Sequence, residues 1–227
     1  MKDNRYSLRA LALLLGYPDA TLRSHLDALM QAIDLEAAIP AARREELHAF
    51  AQELARLDPM DVEARYVETF DRGRSTSLHM FEHIHGDSRE RGPAMIDLMQ
   101  TYEKSGLFLA PEELPDHLCV VLEFASTQPA KLAAEFLGEM AHILTAIFSA
   151  LLQRGSPYAA PVAAVLELCG QRVQAVPIVA DEAMDDVWQE PAAFDGCSTK
   201  GQSKPGEAQP LHFVRKAAAS QTQGAPV

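Results

Sequence analysis

The run Leu132-Ala133-Ala134-Glu135-Phe136-Leu137-Gly138-Glu139-Met140-Ala141-His142-Ile143-Leu144-Thr145-Ala146-Ile147-Phe148-Ser149-Ala150-Leu151 decides the fold class. Its large apolar side chains recur three and four positions apart, the period of a helix, and no alternation of period two interrupts them. Pro129 suits the first turn of a helix and Gly155-Ser156-Pro157 suits a stop. The spacing therefore predicts one long helix from Pro129 to about Arg154. Its apolar residues cover much of the circumference, so it is expected at the centre of a helical bundle.

Outward from this stretch the same period returns. Asn4 is placed to cap a first helix with Leu8, Leu11, Leu14 and Leu15 on one side, ended by Gly16 and Pro18. Asp19 can cap a second, carrying Leu22, Leu26, Leu29, Met30 and Ile33, so that the pair forms an antiparallel hairpin. After Pro40, Leu47, Phe50, Leu54 and Leu57 mark a third. Asp58-Pro59 ends it and starts a fourth, with Val62, Tyr66, Val67 and Phe70. Ser88 to Gly106 reads as a helix bearing Met95, Leu98, Met99 and Tyr102. Asp87-Ser88-Arg89-Glu90 has capping-box spacing, and Pro93 makes the helix either start near Gly92 or kink. Pro115 opens a helix with Leu118, Val121, Leu122 and Ala125, and a last one carries Val162, Val165, Leu166, Cys169 and Val173 before Pro177.

The expected architecture is all-α: a single-domain bundle of about eight helices over residues 1–178, followed by a mostly disordered tail over 179–227. In that tail Pro, Gly, Ser, Gln and Lys dominate, and only Val187-Trp188 and Leu211-His212-Phe213-Val214 offer apolar docking points.

The chain has 227 residues, 48% hydrophobic and 23% charged, with a net charge of -12. Acidity of this size argues against nucleic acid, whose phosphates are gripped by lysine and arginine, and favours a basic partner. Cys119, Cys169 and Cys197 have no CxxC spacing and an odd count, which fits a reducing compartment. No stretch reaches the roughly 18 apolar residues of a membrane span, and no cleavable leader is evident. A cytoplasmic protein without a targeting segment is the expectation.

Chemistry-bearing residues crowd one region. Tyr66 to Asp71 is followed by Ser77-Leu78-His79-Met80-Phe81-Glu82-His83-Ile84-His85, then by Glu112-Glu113-Leu114-Pro115-Asp116-His117. Two imidazoles four apart, His79 and His83, with His85 and Glu82 nearby, would let a helix hold a metal, but no second ligand cluster accompanies them. Asp116 beside His117 has the makings of an acid/base pair, which keeps a hydrolase open as an alternative, although no nucleophile motif is present and Asp116 equally suits a helix cap. Neither phosphate-binding glycine motif occurs. Tyr66, Phe70, Phe81, Met95 and Met99 at helical spacing read first as core residues, and the alternative is a groove with these as its aromatic and methionine floor and an acidic rim from Asp71, Glu112, Glu113 and Asp116. Such a groove accepts a basic amphipathic helix. His117 among carboxylates suggests pH-dependent affinity near neutrality.

Tyr66-x-x-x-Phe70, the run Leu78 to Gly92, Glu113-Leu114-Pro115-Asp116-His117 and Leu13-Leu14-Leu15-Gly16-Tyr17-Pro18 resemble the NarJ-type nitrate reductase assembly chaperones. These belong to the wider all-α group that includes the TorD and DmsD types. The likeness spans about Arg5 to Val176, with Pro93 departing from that family's uninterrupted helix. It implies a chaperone, not an enzyme, with no cofactor or metal of its own. Its partner would be the N-terminal segment of the nitrate reductase catalytic subunit, with molybdenum cofactor delivery proteins as further partners. Such a chaperone supports cofactor insertion and delays membrane docking. By resemblance Tyr66, Phe70, Asp71, Glu113, Pro115, Asp116 and His117 bind the partner, with His79, Phe81, His83 and His85 beside them.

Overall fold

A computed structural model of the chain describes residues 3–86 and 88–178. Within them lie ten α-helices and one short 3-10 turn, and the only extended pairing is an isolated antiparallel bridge between His79 and His117. The tail expected over 179–227, with its two apolar points, lies outside the described residues, as does Asp87 of the expected capping box.

The first two helices form the expected hairpin. α1 (Arg5–Leu14) and α2 (Ala20–Glu36) pack together, and Leu8, Leu11, Leu14 and Leu15 are fully enclosed. Asp19 caps α2 by accepting the Leu22 N–H at 2.7 Å. Asn4 does not cap α1 through its side chain. The C-terminal residue of α2 does so instead: the Glu36 carboxylate accepts Tyr6 N–H at 3.0 Å and Ser7 N–H at 2.7 Å, meeting orphan donors at the positive end of the α1 dipole. The hairpin is thereby closed by a contact that no local pattern encodes.

α3 (Ala41–Arg56) packs on α2, and α4 (Pro59–Phe70) begins at the Asp58-Pro59 cap, where Asp58 accepts Met60 N–H at 2.9 Å. α5 is a single turn (Glu82–His85). α6 (Arg91–Lys104) starts at Arg91, so Pro93 occupies its third position, where a backbone N–H has no partner to lose and no kink is needed. Gly106, at φ 81°, turns the chain out of it. α7 (Leu118–Thr127) starts after Pro115, later than expected, and lies against α1 with Leu118, Val121, Leu122 and Ala125 fully buried.

The expected long helix is two. α8 (Ala130–Glu139) and α9 (Ala141–Gln153) meet at a 70° bend, with Met140 at φ -95° and ψ 4°. Gly138 weakens the helix just before the bend. The apolar faces supply the reason: α8 buries only Ala133 and Leu137, while α9 buries Ile143, Leu144, Ile147, Phe148 and Leu151. The bend turns α9 inward and leaves α8 at the edge, with Leu132 52% exposed. The innermost helix is α10 (Ala159–Leu168), where Val162 to Leu166 have no exposed surface. It ends before Cys169 and Val173, at Gly170, which has φ 75°. No single helix among the described residues is long and apolar enough to cross a membrane.

Replacing Glu36 by Ala should lower unfolding free energy by about 1 kcal/mol through loss of the α1 cap. Leu35→Ala, at an exposed neighbouring position, should stay within about 0.5 kcal/mol. Urea denaturation of both variants measures the difference.

Candidate functional site

The residues before α7 and the residues before α5 are stitched together by their backbones. Leu118 N–H donates to Leu78 C=O at 2.8 Å, and Met80 N–H donates to Asp116 C=O at 3.0 Å. This places the Asp116 side chain, which has no exposed surface, inside the loop that follows Leu78. A buried carboxylate is costly unless it is hydrogen-bonded and paired. Here the Phe81 N–H donates to Oδ2 at 3.1 Å, His79 Nδ1 faces Oδ1 at 3.4 Å, and the Arg91 guanidinium stands 3.7 Å away. Arg91 also reaches Glu82 at 3.3 Å, and Ser77 donates its hydroxyl to Glu82. Asp116 is thus a hub and not a helix cap. The cap of α7 is His117, whose Nδ1 accepts Cys119 N–H at 3.3 Å.

The histidines do separate jobs. The His79 and His117 rings meet edge to face at 4.9 Å, His83 Nε2 donates to Ser77 C=O at 2.9 Å, and His85 stands against Phe81 with ring centres 5.7 Å apart. They converge on no common point, and no group of three or more metal-ligating side chains is gathered among the described residues. Asp116 is paired with His79 rather than with His117 and faces no open space, so the geometry of a hydrolytic dyad is absent.

The electrostatics distinguish the two central imidazoles. The hydrogen bond with Asp116 raises the His79 pKa above its ordinary 6.5, outweighing burial. Burial pushes His117 down to about 4, helped by the charge of His79, and its Nδ1 is committed as an acceptor, so it stays neutral near pH 7. Burial alone would raise the Asp116 carboxyl. The His79 hydrogen bond, the Phe81 N–H and the charges of His79 and Arg91 outweigh it and hold the carboxyl below its ordinary 3.8. The titration expected of His117 near neutrality is therefore moved well below it, while His79 is shifted upward.

Tyr66 and Phe70 do not line a trough. They are 7% and 6% exposed and pack with Phe50 and Tyr158 in an aromatic cluster, ring centres 4.8 to 5.8 Å apart. The Tyr66 hydroxyl donates to Leu15 C=O at 3.0 Å, and half-exposed Tyr17 covers its edge at 5.5 Å. Two aromatics one turn apart on an amphipathic helix bury more apolar surface inward than any groove would allow. Asp71, exposed at the end of α4, still makes its charge felt at Tyr17, Tyr66 and His117. Asp116, being enclosed, is no part of a rim.

A cleft with an acidic border does exist, on neighbouring residues. It holds about 200 Å³, with a floor of Tyr102, Val120 and Phe124 and a wall of Leu107, Phe108 and Leu109. Glu113, Glu123 and Arg9 edge it. Phe108 is 80% exposed. The hub supports this cleft directly, since the Tyr102 hydroxyl donates to Pro115 C=O at 2.8 Å. Of the sequence candidates only Glu113 reaches it, and Phe108 and Glu123 were missed. Their signal is the apolar triplet Leu107-Phe108-Leu109, wedged between a helix-ending glycine and Pro111, where no helical face would bury it.

Asp116→Asn should cost about 3 kcal/mol of stability by stranding the cations around it. His79, with a raised folded value, contributes stability that is complete below pH 6.5 and is lost as the pH rises through its folded pKa. Asp116 contributes above pH 3.8 and loses its share as the pH falls. The wild-type advantage over the variant should therefore shrink on the alkaline side of 6.5. His117 acts oppositely, destabilising the fold as pH falls from 6.5 towards 4. Ring-proton NMR should show His79 titrating above the ordinary 6.5 and His117 well below it.

Comparison with known proteins shows the family. The family described as nitrate reductase delta subunit matches residues 36–164. The chain is 42% identical over 194 residues to the Escherichia coli K12 nitrate reductase molybdenum cofactor assembly chaperone NarJ, covering 84% of this chain and 81% of that protein. It is 33% identical over 160 residues to the probable chaperone of the same name from Bacillus subtilis, covering 69% and 84%. A putative redox enzyme maturation protein from Archaeoglobus fulgidus, of known crystal structure, shares the fold with a TM-score of 0.52 at 21% identity, over 74% of this chain and 94% of that one. On residues 36–164 and on these relatives, the chain belongs to the nitrate reductase delta subunit family, as one of its NarJ-type members.

Proposed function

We propose that this protein is a dedicated assembly chaperone, working in the cytoplasm, that holds the N-terminal segment of a respiratory nitrate reductase catalytic subunit. It would support insertion of the molybdenum cofactor there and delay docking on the membrane. The observation that carries this reading is the cleft edged by Glu113 and Glu123 with Phe108 standing in its wall. A helix-forming segment with a basic and an apolar side meets both demands of such a cleft, charge at the edge and apolar surface at the floor.

The roles divide by position. Glu113, Glu123 and Phe108 contact the segment. Asp116, His79, Phe81 and Pro115 hold the loop that carries Glu113 against α7, and His117 caps that helix in neutral form. Tyr66 and Phe70 act from inside by fixing α4, with Asp71 adding negative potential at its end. His83 and His85 brace α5. Burying about 300 Å² of apolar side chain yields about 7 kcal/mol before ordering costs, so this burial by itself supports binding no tighter than about 10 micromolar. Such affinity allows release once the client has closed around its cofactor. Delivery proteins for that cofactor would be further partners during insertion.

Co-purification with the catalytic subunit tests the reading. Capture should disappear when the client's N-terminal segment is deleted, and Glu113→Lys with Glu123→Lys should weaken calorimetric affinity for the corresponding peptide at least tenfold. Capture that survives the deletion would remove the segment from the mechanism.

A further inference from the structure

A second surface, away from the cleft at Phe108, joins exposed apolar side chains to uncompensated negative charge. It runs along α2. Between α2 and α3 a hollow of about 420 Å³ has Leu26, Met30, Ala51 and Ala55 at its base. Past Leu35 a second hollow of about 550 Å³ is bounded by Tyr6 and Ala32. Leu35 lines both and is the ridge between them, 79% exposed, with Tyr6 61% exposed beside it. Two large apolar side chains exposed next to each other, over small alanines that let another backbone come close, bury little in the isolated chain.

The charge of the lining is one-sided. Asp3, Asp27, Asp34 and Glu36 border the two hollows, and among the described residues no lysine or arginine lines either and His48 is the one imidazole. Asp34 is answered by Arg44 at 2.9 Å and His48 at 2.8 Å, and Glu36 is engaged by the start of α1. Asp27 and Asp3, one in each hollow, have no ion pair among the described residues. They leave a negative charge at either end of an apolar tract. Asp27 and Leu35 are eight residues apart on one helix, about 12 Å along its axis. An occupant must therefore present apolar side chains on both sides of Leu35 and cations towards both ends, which is the pattern of an amphipathic basic helix.

We infer that the α2 face, from Asp27 past Leu35 to Tyr6 and Asp3, is a docking surface for a cationic amphipathic helix of another polypeptide. Its apolar side would seat in the two hollows astride Leu35, and its lysines or arginines would meet Asp27 and Asp3. The site is separate from the cleft at Phe108 and does not rest on the function proposed for that cleft.

The probe is a synthetic helix-forming peptide of about 18 residues, leucine on one face and lysine on the other, with a leucine and glutamate peptide as control. On titration into the full chain, amide shifts in NMR should cluster at Gln31, Leu35 and His48. Leu35→Asp should weaken binding at least tenfold, Asp27→Lys should weaken it and flatten its salt dependence, and the glutamate peptide should not bind. Leu35 is exposed, so unchanged melting of its variant keeps the comparison clean. Shifts confined to the Phe108 to Glu123 cleft, or affinity indifferent to Leu35→Asp, would overturn the proposal. Self-association of the chain abolished by Leu35→Asp would also overturn it, by assigning the face to a second copy.

Discussion

The Asp116 carboxylate is the constraint around which the loops before α5 and α7 and the start of α6 are arranged. An enclosed anion must be surrounded by donors, and the donors it recruits come from three places: the Phe81 amide, the His79 ring and the Arg91 guanidinium at the start of α6. Each recruitment fixes a piece of chain. Phe81 and His79 lay the loop after Leu78 over the head of α7, and Arg91 draws the start of α6 in, where it also meets Glu82. Tyr102, on the same helix, completes the attachment through the Pro115 carbonyl. The loop before α7, which carries Glu113 to the cleft, is thereby held at both ends.

The supporting body is ordinary helix packing, with one division of labour. α1, α7, α9 and α10 form the enclosed interior, where α10 has residues buried on every side. α2, α3 and α6 lie outside and keep one face for solvent. α6 is held mainly by two side chains, Leu98 and Tyr102, together with Arg91. Apolar surface is left unburied at Phe108, in the loop after α6, and at Leu35 on α2.

Much of this was legible in the chain as a string. The all-α class, the α1 and α2 hairpin, the caps at Asp19 and Asp58 and the stop at Gly106 all follow from periodicity and local hydrogen bonding, which need no knowledge of distant residues. The importance of the Leu78 to Glu82 and Glu113 to His117 segments was also visible, because mixed acids, histidines and aromatics stand out against amphipathic helix. Their roles were not. Asp116 looks like a cap until Phe81 and Arg91 are seen around it. Tyr66 and Phe70 look like a groove floor until Phe50 and Tyr158, remote in sequence, close over them.

The sequence by itself determined which segments are helical and where most of them begin and end, since those outcomes depend on neighbours within about four positions. Tertiary structure alone decided that Glu36 caps α1, that the run through Met140 bends by 70° and turns α9 inward, and that burial lowers the His117 pKa while Asp116 raises that of His79. Each of these depends on what a side chain meets across the fold. Burial and pairing are properties of position in space, and spacing along the chain records only part of them.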